Sequence, residues 1–297
     1  MNPNPQSSNV HLDGSLGVLV WWNLDATQIT PVALQNVLDR ESFPAKVPAI
    51  KAPAAISRAT REWHMGARGA DHRYKAEVTA SDAASVVVGI LYRSRQDRTT
   101  VDWTQVGWMT WDVASASWIS VSTTTPDHDE AVRSFASVAS DRLTFLDHEW
   151  IRPNVLMRAI TDAKATCLRR GGGFYFVPRT EIGAMERLGR IVDAIGNSNL
   201  SIATLGGDEA TRASVSREAT TTLHEELAEV EERIAAWEDS ARKVSTTSQA
   251  SVLDAIGDLL DRAALYESVL EIKLGDLQER IASARRTALQ VIADGGQ

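Results

Sequence analysis

The spacing of seven apolar residues between Leu223 and Val244 constrains this chain more than any other feature. Leu223, Leu227, Val230, Ile234, Trp237, Ala241 and Val244 follow one another at steps of 4, 3, 4, 3, 4 and 3. That is a heptad stripe, which places one apolar seam along a helix. Leu270, Leu274, Leu277, Ile281, Ala284, Ala288 and Val291 repeat the same steps. Val252, Ile256, Leu259, Ala263, Tyr266 and Leu270 carry a third stripe. Two successive steps of four meet at Leu270, a stutter that locally unwinds a supercoil.

No proline occurs from 208 onward. The pattern therefore predicts two long helices, about Asp208–Val244 and Ser248–Ala293, with "STTS" between them; one interrupted helix is the alternative. At 1.5 Å per residue these helices would be roughly 55 and 70 Å long. Ser248 or Ser251 is the expected cap of the second. Leu253, Leu260, Leu265, Val269 and Ile272 lie off the stripe. The second helix is thus apolar on a further face, which needs either the N-terminal domain or another subunit to cover it.

The N-terminal region has a different rhythm. "GVLVWWNL" (Gly17–Leu24) is a strand pattern, and "ITPVALQNVLDR" a short helix with Thr30 as cap and Pro31 at its first position. Four β-rich runs between 73 and 124, separated by turn residues, predict an antiparallel meander. In the third run Val101, Trp103, Gln105, Gly107 and Met109 are expected on one face. Two helices follow, the second from near Pro153 to Arg170, where Gly171 is expected as a C-cap. "FYFV" is a strand, "TEIGAMERLGRIVDAIG" a helix capped by Thr180, and "NLSIATL" a closing strand. The expected fold class is α+β: a disordered stretch 1–14, a mixed domain 15–207 with a mainly antiparallel sheet, and an acidic antiparallel helical hairpin (coiled coil) 208–294.

Charge and cysteine narrow the function. The net charge is −8. The segment 208–297 holds 18 acidic and 10 basic residues, so it carries all of that excess. An acidic tail disfavours nonspecific contact with DNA or anionic lipid, which needs lysine and arginine. A single cysteine, Cys167, excludes an intramolecular disulfide and suits a reducing compartment. The polar start of the chain carries no secretory signal pattern. A cytoplasmic location is expected, with no membrane partner.

Catalytic signals are weak. Arg169-Arg170-Gly171-Gly172-Gly173 precedes a strand and follows a helix, the reverse of a phosphate loop, so it is chiefly a cap and turn. Cys167 falls mid-helix by this pattern and suits a small core residue better than a nucleophile. "DHDE" (Asp127–Glu130) and "DHE" (Asp147–Glu149) set a histidine among carboxylates, but adjacent residues on a helix diverge. Trp103, Trp108, Trp111 and Trp118 fall near one strand pair, either as core or as a stacking platform. No cofactor is implied.

"VWWNLDATQITPVALQNVL", "ISRATRE" and "RGGGFYFVP", followed by an acidic coiled-coil tail, together resemble DUF6744, a family of unknown function. The resemblance spans roughly 17–240 and implies a phage or mobile-element setting. It implies no catalytic residues. Arginine makes up 25 of the 31 basic residues, which suits a GC-rich bacterial host or its phage.

The expected function is non-enzymatic: an assembly or protein-interaction protein that homo-oligomerises through Leu223, Leu227, Val230, Ile234, Trp237, Leu270, Leu274, Leu277 and Ile281. Its expected partner is itself, with another protein as a further candidate. The first alternative is a nucleic-acid-binding accessory protein using Arg152, Arg158, Arg169, Arg170 and Arg179 with the tryptophans. The second and weaker is a metal-dependent hydrolase centred on His128 and His148.

Overall fold

A computed structural model of the chain describes residues 14–24, 27–66, 72–94, 103–168, 173–238 and 244–294. In chain order its elements are β1 (Ser15–Leu24), α1 (Pro31–Arg40), α2 (Ala52–Glu62), β2 (His64–Met65), β3 (His72–Ser81), β4 (Ser85–Ser94), β5 (Thr104–Asp112), β6 (Ser117–Thr123), α3 (Asp129–Thr144) and α4 (His148–Ile151). A π-helical stretch, Arg152–Met157, precedes α5 (Arg158–Asp162). Then come β7 (Thr166–Cys167), β8 (Tyr175–Pro178), α6 (Ile182–Ile195), β9 (Ser198–Gly206), α7 (Glu209–Glu238), α8 (Thr246–Leu270) and α9 (Gly275–Asp294). The class is α+β with two antiparallel sheets.

The chain divides into two compact units. One takes in Met1–Leu24, Arg152–Asp193 and Ser198–Gln297; the other takes in Asp25–Ile151 with Ala194–Asn197. No boundary falls at 207: β1, β8 and β9 belong with the C-terminal helices. Of the stretch 1–14, only Gly14 lies within the described residues.

The second unit holds the meander, β2-β3-β4-β5-β6. Val86, Val88 and Ile90 of β4 alternate inward and are fully buried with Met109 of β5 and Phe135 of α3. The alternation expected along β5 does not hold throughout. Ile90 pairs with Gly107 but Leu91 with Gln105, so Val106 is an extra residue in a bulge. Val106 and Met109 are both buried while Gln105 and Trp108 are exposed. Thr30 caps α1 as expected, accepting from the Ala33 amide at 3.2 Å, with Pro31 at the first helical position.

The first unit joins the sheet β7-β8-β1-β9 to α7, α8 and α9. Gly17 sits where β1 passes so close to β8 that a Cβ would collide with the Val177 carbonyl oxygen. Among the described residues the C-terminal region is three helices, not two: α7 and α8 run antiparallel, joined by Arg233–Ser251, Glu226–Arg262 and Arg212–Glu271, and the expected long second helix is divided into α8 and α9. The second helix breaks at the stutter: Glu271 takes a left-handed conformation at φ 57° and ends α8. Glu267 then binds the next helix start, accepting from the Leu274 amide at 2.6 Å and the Gln278 amide group at 2.9 Å. Ser245, rather than Ser248 or Ser251, caps α8 by accepting from the Ser248 amide. Thr180 lies in a 3₁₀ turn ahead of α6, not at its cap.

The helix expected to run to Arg170 stops at Asp162. Lys164 adopts φ 53°, and the amides of Lys164 and Ala165 bond the carbonyls of Thr161 and Ile160. That is a Schellman ending with lysine where glycine is usual. The lysine is held there from α8, its ammonium 2.8 Å from Asp258 and 3.5 Å from Asp261.

Tyr266 of α8 completes the junction. It is fully buried, 5.9 Å from the Phe176 ring between centroids. Its hydroxyl lies 2.7 Å from both the Lys164 carbonyl and Thr166 Oγ1. It donates to the carbonyl and accepts from the threonine. Burial raises the phenol above its usual pKa of 10.0, against the opposing pull of the Thr166 hydrogen bond. A raised folded-state value means that this contribution to stability is whole below about pH 10 and is lost as pH climbs beyond it. Tyr266→Phe should lower the unfolding free energy by about 1–3 kcal/mol, because two buried groups lose their partner. Urea denaturation at about pH 8 and about pH 11 should show the variant losing less stability between the two than the parent.

Candidate functional site

A cleft of about 640 Å³ opens in the sheet-and-helix unit. Met157 at the end of the π-helical stretch, Ile160 and Ala165 form part of its apolar lining, with Val230 of α7 and Leu259 of α8. Pro153 lies inside that π-helical stretch, not at a helix start, and has no N–H to give to a helical ladder. The polar lining is Glu226, Glu229 and Arg233 from α7, and Asp254, Asp258 and Arg262 from α8. These come from helix turns that alternate with the buried seam, which is why they face one opening.

Arg262 is the unusual member, an arginine only 7% exposed. Both terminal nitrogens bond Glu226, and Nε lies 2.8 Å from Asp258 Oδ2 without the alignment of a hydrogen bond. Burial disfavours its charge, but Glu226 and Asp258 outweigh that and raise its pKa. Lys164 follows the same logic with Asp258 and Asp261. Glu226, Asp258 and Arg262 thus form an internal charge network in the cleft, with Lys164 bound to Asp258 beside it.

Cys167 sits on β7, not in a helix, and pairs with Tyr175 across the hairpin. It is half-buried in the cleft lining. Burial, and then the Cys167 thiol, raise the Tyr175 phenol's pKa, while Arg152 lowers it. Among the described residues that line the cleft there is no histidine. β7 and β8 pair antiparallel, and beyond their ladder the Leu168 amide bonds the Phe174 carbonyl at 2.9 Å. Of the glycine run only Gly173 lies within the described residues. Arg169, Arg170, Gly171 and Gly172 lie outside the described residues.

The residues expected to join subunits lie inside the chain. Leu223, Leu227, Val230, Ile234, Leu270, Leu274, Leu277 and Ile281 are all buried, and Trp237 packs partly buried against the same core. Leu16 and Phe176 of the sheet share it. The surplus face of α8 is covered at Val269, while Leu253, Leu260, Leu265 and Ile272 pack against that core in part. Arg152, Arg158 and Arg179 are exposed in this unit, and Arg158 lies 3.9 Å from Asp162.

Trp103, Trp108, Trp111 and Trp118 belong to the other unit and split between roles. Trp111 and Trp118 meet edge to face at 5.2 Å and pack on the meander core. By the pairing register, Lys75, Glu77, Leu91, Gln105 and Trp108 share the opposite face of the sheet. Lys75 Nζ stands 4.8 Å from the centre of the Trp103 ring.

His128 packs against the rings of Tyr74 and Tyr92, its Nδ1 3.2 Å from the Tyr74 hydroxyl. His148 Nδ1 lies 3.1 Å from Asp147, which also binds Arg58 and sits 3.7 Å from Arg142. Asp147 further accepts the Glu149 amide. Both histidines are therefore engaged locally. Among the described residues no group of three His, Cys, Asp or Glu side chains is gathered for a metal ion.

Sequence reading did not single out Glu226, Asp258 and Arg262, although Asp258 and Arg262 stand four apart on one helix, a spacing that pairs charges. Arg262→Met should cost about 1–3 kcal/mol in unfolding free energy, since Glu226 and Asp258 lose a partner but keep partial access to water. Added to Glu226→Gln, its cost should shrink; a double-mutant cycle by urea denaturation measures the coupling.

No curated protein and no solved structure matches this chain. A family of unknown function, DUF6744, matches residues 15–294, and the chain belongs to that family.

Proposed function

We propose that this chain is a non-enzymatic protein-interaction protein that works as a homo-oligomer, in a phage or mobile-element setting. The observation that carries the reading is where large apolar side chains remain exposed. Among the described residues, four of the seven exposed large apolar side chains lie on or beside β5 and β6: Trp108 at 40%, Val113 at 36%, Ile119 at 61% and Val121 at 56%; Val32, Phe174 and Leu289 lie elsewhere. Val121 pairs with Met109 and Trp108 with Ser122, so Trp108 is on the other face, and Ile119 and Val121 at the β6 edge are the feature that suits association. The heptad stripes are otherwise engaged, so assembly through them would require α7, α8 and α9 to part. The mutual pairing of Glu226, Asp258 and Arg262 in the cleft is in keeping with a role without catalysis.

Light scattering across a size-exclusion peak tests this directly. A discrete multiple of 32.4 kDa, with absorbance free of nucleic acid, is expected. A monomer at every concentration overturns the reading. Leu277→Lys separates core from interface: at 2% exposure it should cost more than about 3 kcal/mol and unfold the C-terminal helices rather than release folded monomers.

The alternative, nucleic-acid binding, draws on the open sheet face with Lys75, Trp103 and Trp108. It requires quenching of tryptophan fluorescence by single-stranded oligonucleotides that weakens steeply with salt. No quenching at low salt removes it.

A further inference from the structure

The sheets end differently at their two edges. β2 and β7 are two residues each, too short to template another strand. β6 is a seven-residue edge strand, and among the described residues it pairs only with β5. Edge strands are usually blunted by charge, proline, shortness or a bulge, of which β6 has only the last. From Val113 to Thr125 there is no charged residue and no proline, and the strand's one irregularity is the bulge at Ile119. β9 is a second long edge without charge, but its apolar side chains are half-buried rather than exposed.

We infer that β6 pairs antiparallel with β6 of a second copy of this chain, about a twofold axis at Ser120, joining two five-stranded sheets into one of ten. The inference rests on the self-association reading above and names its surface. A strand that pairs with itself must carry no charge that meets its own image, and β6 carries none, in a chain whose net charge of −8 otherwise opposes association. Centring on Ser120 places Ile119 of each copy opposite Val121 of the other. The two most exposed apolar side chains of the strand are thereby covered twice by one symmetry operation. Outward backbone groups of β6 gain partners in the same step.

The test uses the full chain with Cys167→Ala and Ser120→Cys. Residues directly opposite in an antiparallel pair have Cβ atoms about 4.5–5.5 Å apart, close enough for a disulfide after small adjustment. Mild oxidation should give a covalent dimer on a non-reducing gel, and Asn199→Cys on β9 should not. Ile119→Lys with Val121→Lys should reduce the mass to 32.4 kDa while keeping a cooperative thermal transition. An oligomer that persists in this double variant, without a Ser120→Cys cross-link in the parent, overturns the β6 interface and leaves self-association through another surface. A cross-link at Asn199→Cys alone overturns it in favour of β9. A parent chain that is monomeric throughout overturns both readings. Should the lysine variant fail to fold, the cross-link alone decides.

Discussion

A single hydroxyl ties the sheet-and-helix unit together. The Tyr266 oxygen takes up the carbonyl of a lysine in a left-handed turn and the side chain of a strand threonine, in a place where water does not reach. Everything around it is conditional on that junction. The Schellman ending at Lys164 exposes the carbonyl that Tyr266 needs, and Asp258 and Asp261 hold the lysine in its turn. Phe176 then packs on the tyrosine ring, and behind it the stripes of α7, α8 and α9 close on one another. A buried polar group so placed selects one arrangement of helix against sheet, because any slide of α8 leaves it unsatisfied.

The strongest regularities in the sequence are the ones that physics reads locally. The heptad steps place Leu223, Leu227, Val230 and Ile234 on one buried face, as they are found. The meander and the cap at Thr30 follow from short-range pattern in the same way. What the pattern does not contain is the identity of the surface opposite. A heptad stripe looks the same whether its partner is another chain or the next helix of its own. The stutter at Leu270 marks the site of the break but not its size, since a one-turn adjustment and a chain reversal both begin with two steps of four.

The sheet pairings of β1 were hidden for a different reason. Its partners lie beyond 150 residues of intervening chain, as Val20 against Tyr175 and Ile202 shows. No local spacing encodes such a register. The helix end at Lys164 escaped notice because "DAKATC" carries no glycine or proline, and the left-handed lysine is stabilised from α8. The cleft was partly legible: Asp258 and Arg262 announce a pair, while Glu226 joins them only through packing of α7 on α8.

The division of the chain also sets a schedule for its synthesis. β1 leaves the ribosome before either of its sheet partners, with the sequence "LGVLVWW" and two edges to satisfy. The meander unit follows it and has almost all of its residues in one continuous stretch. Strand β8, which closes one edge of β1, arrives about 155 residues later. At roughly 5–20 residues per second, that is a wait of about 10–30 s. Through that interval β1 keeps an apolar sequence and unpaired edges, a target for capture by a chaperone or a neighbouring polysome.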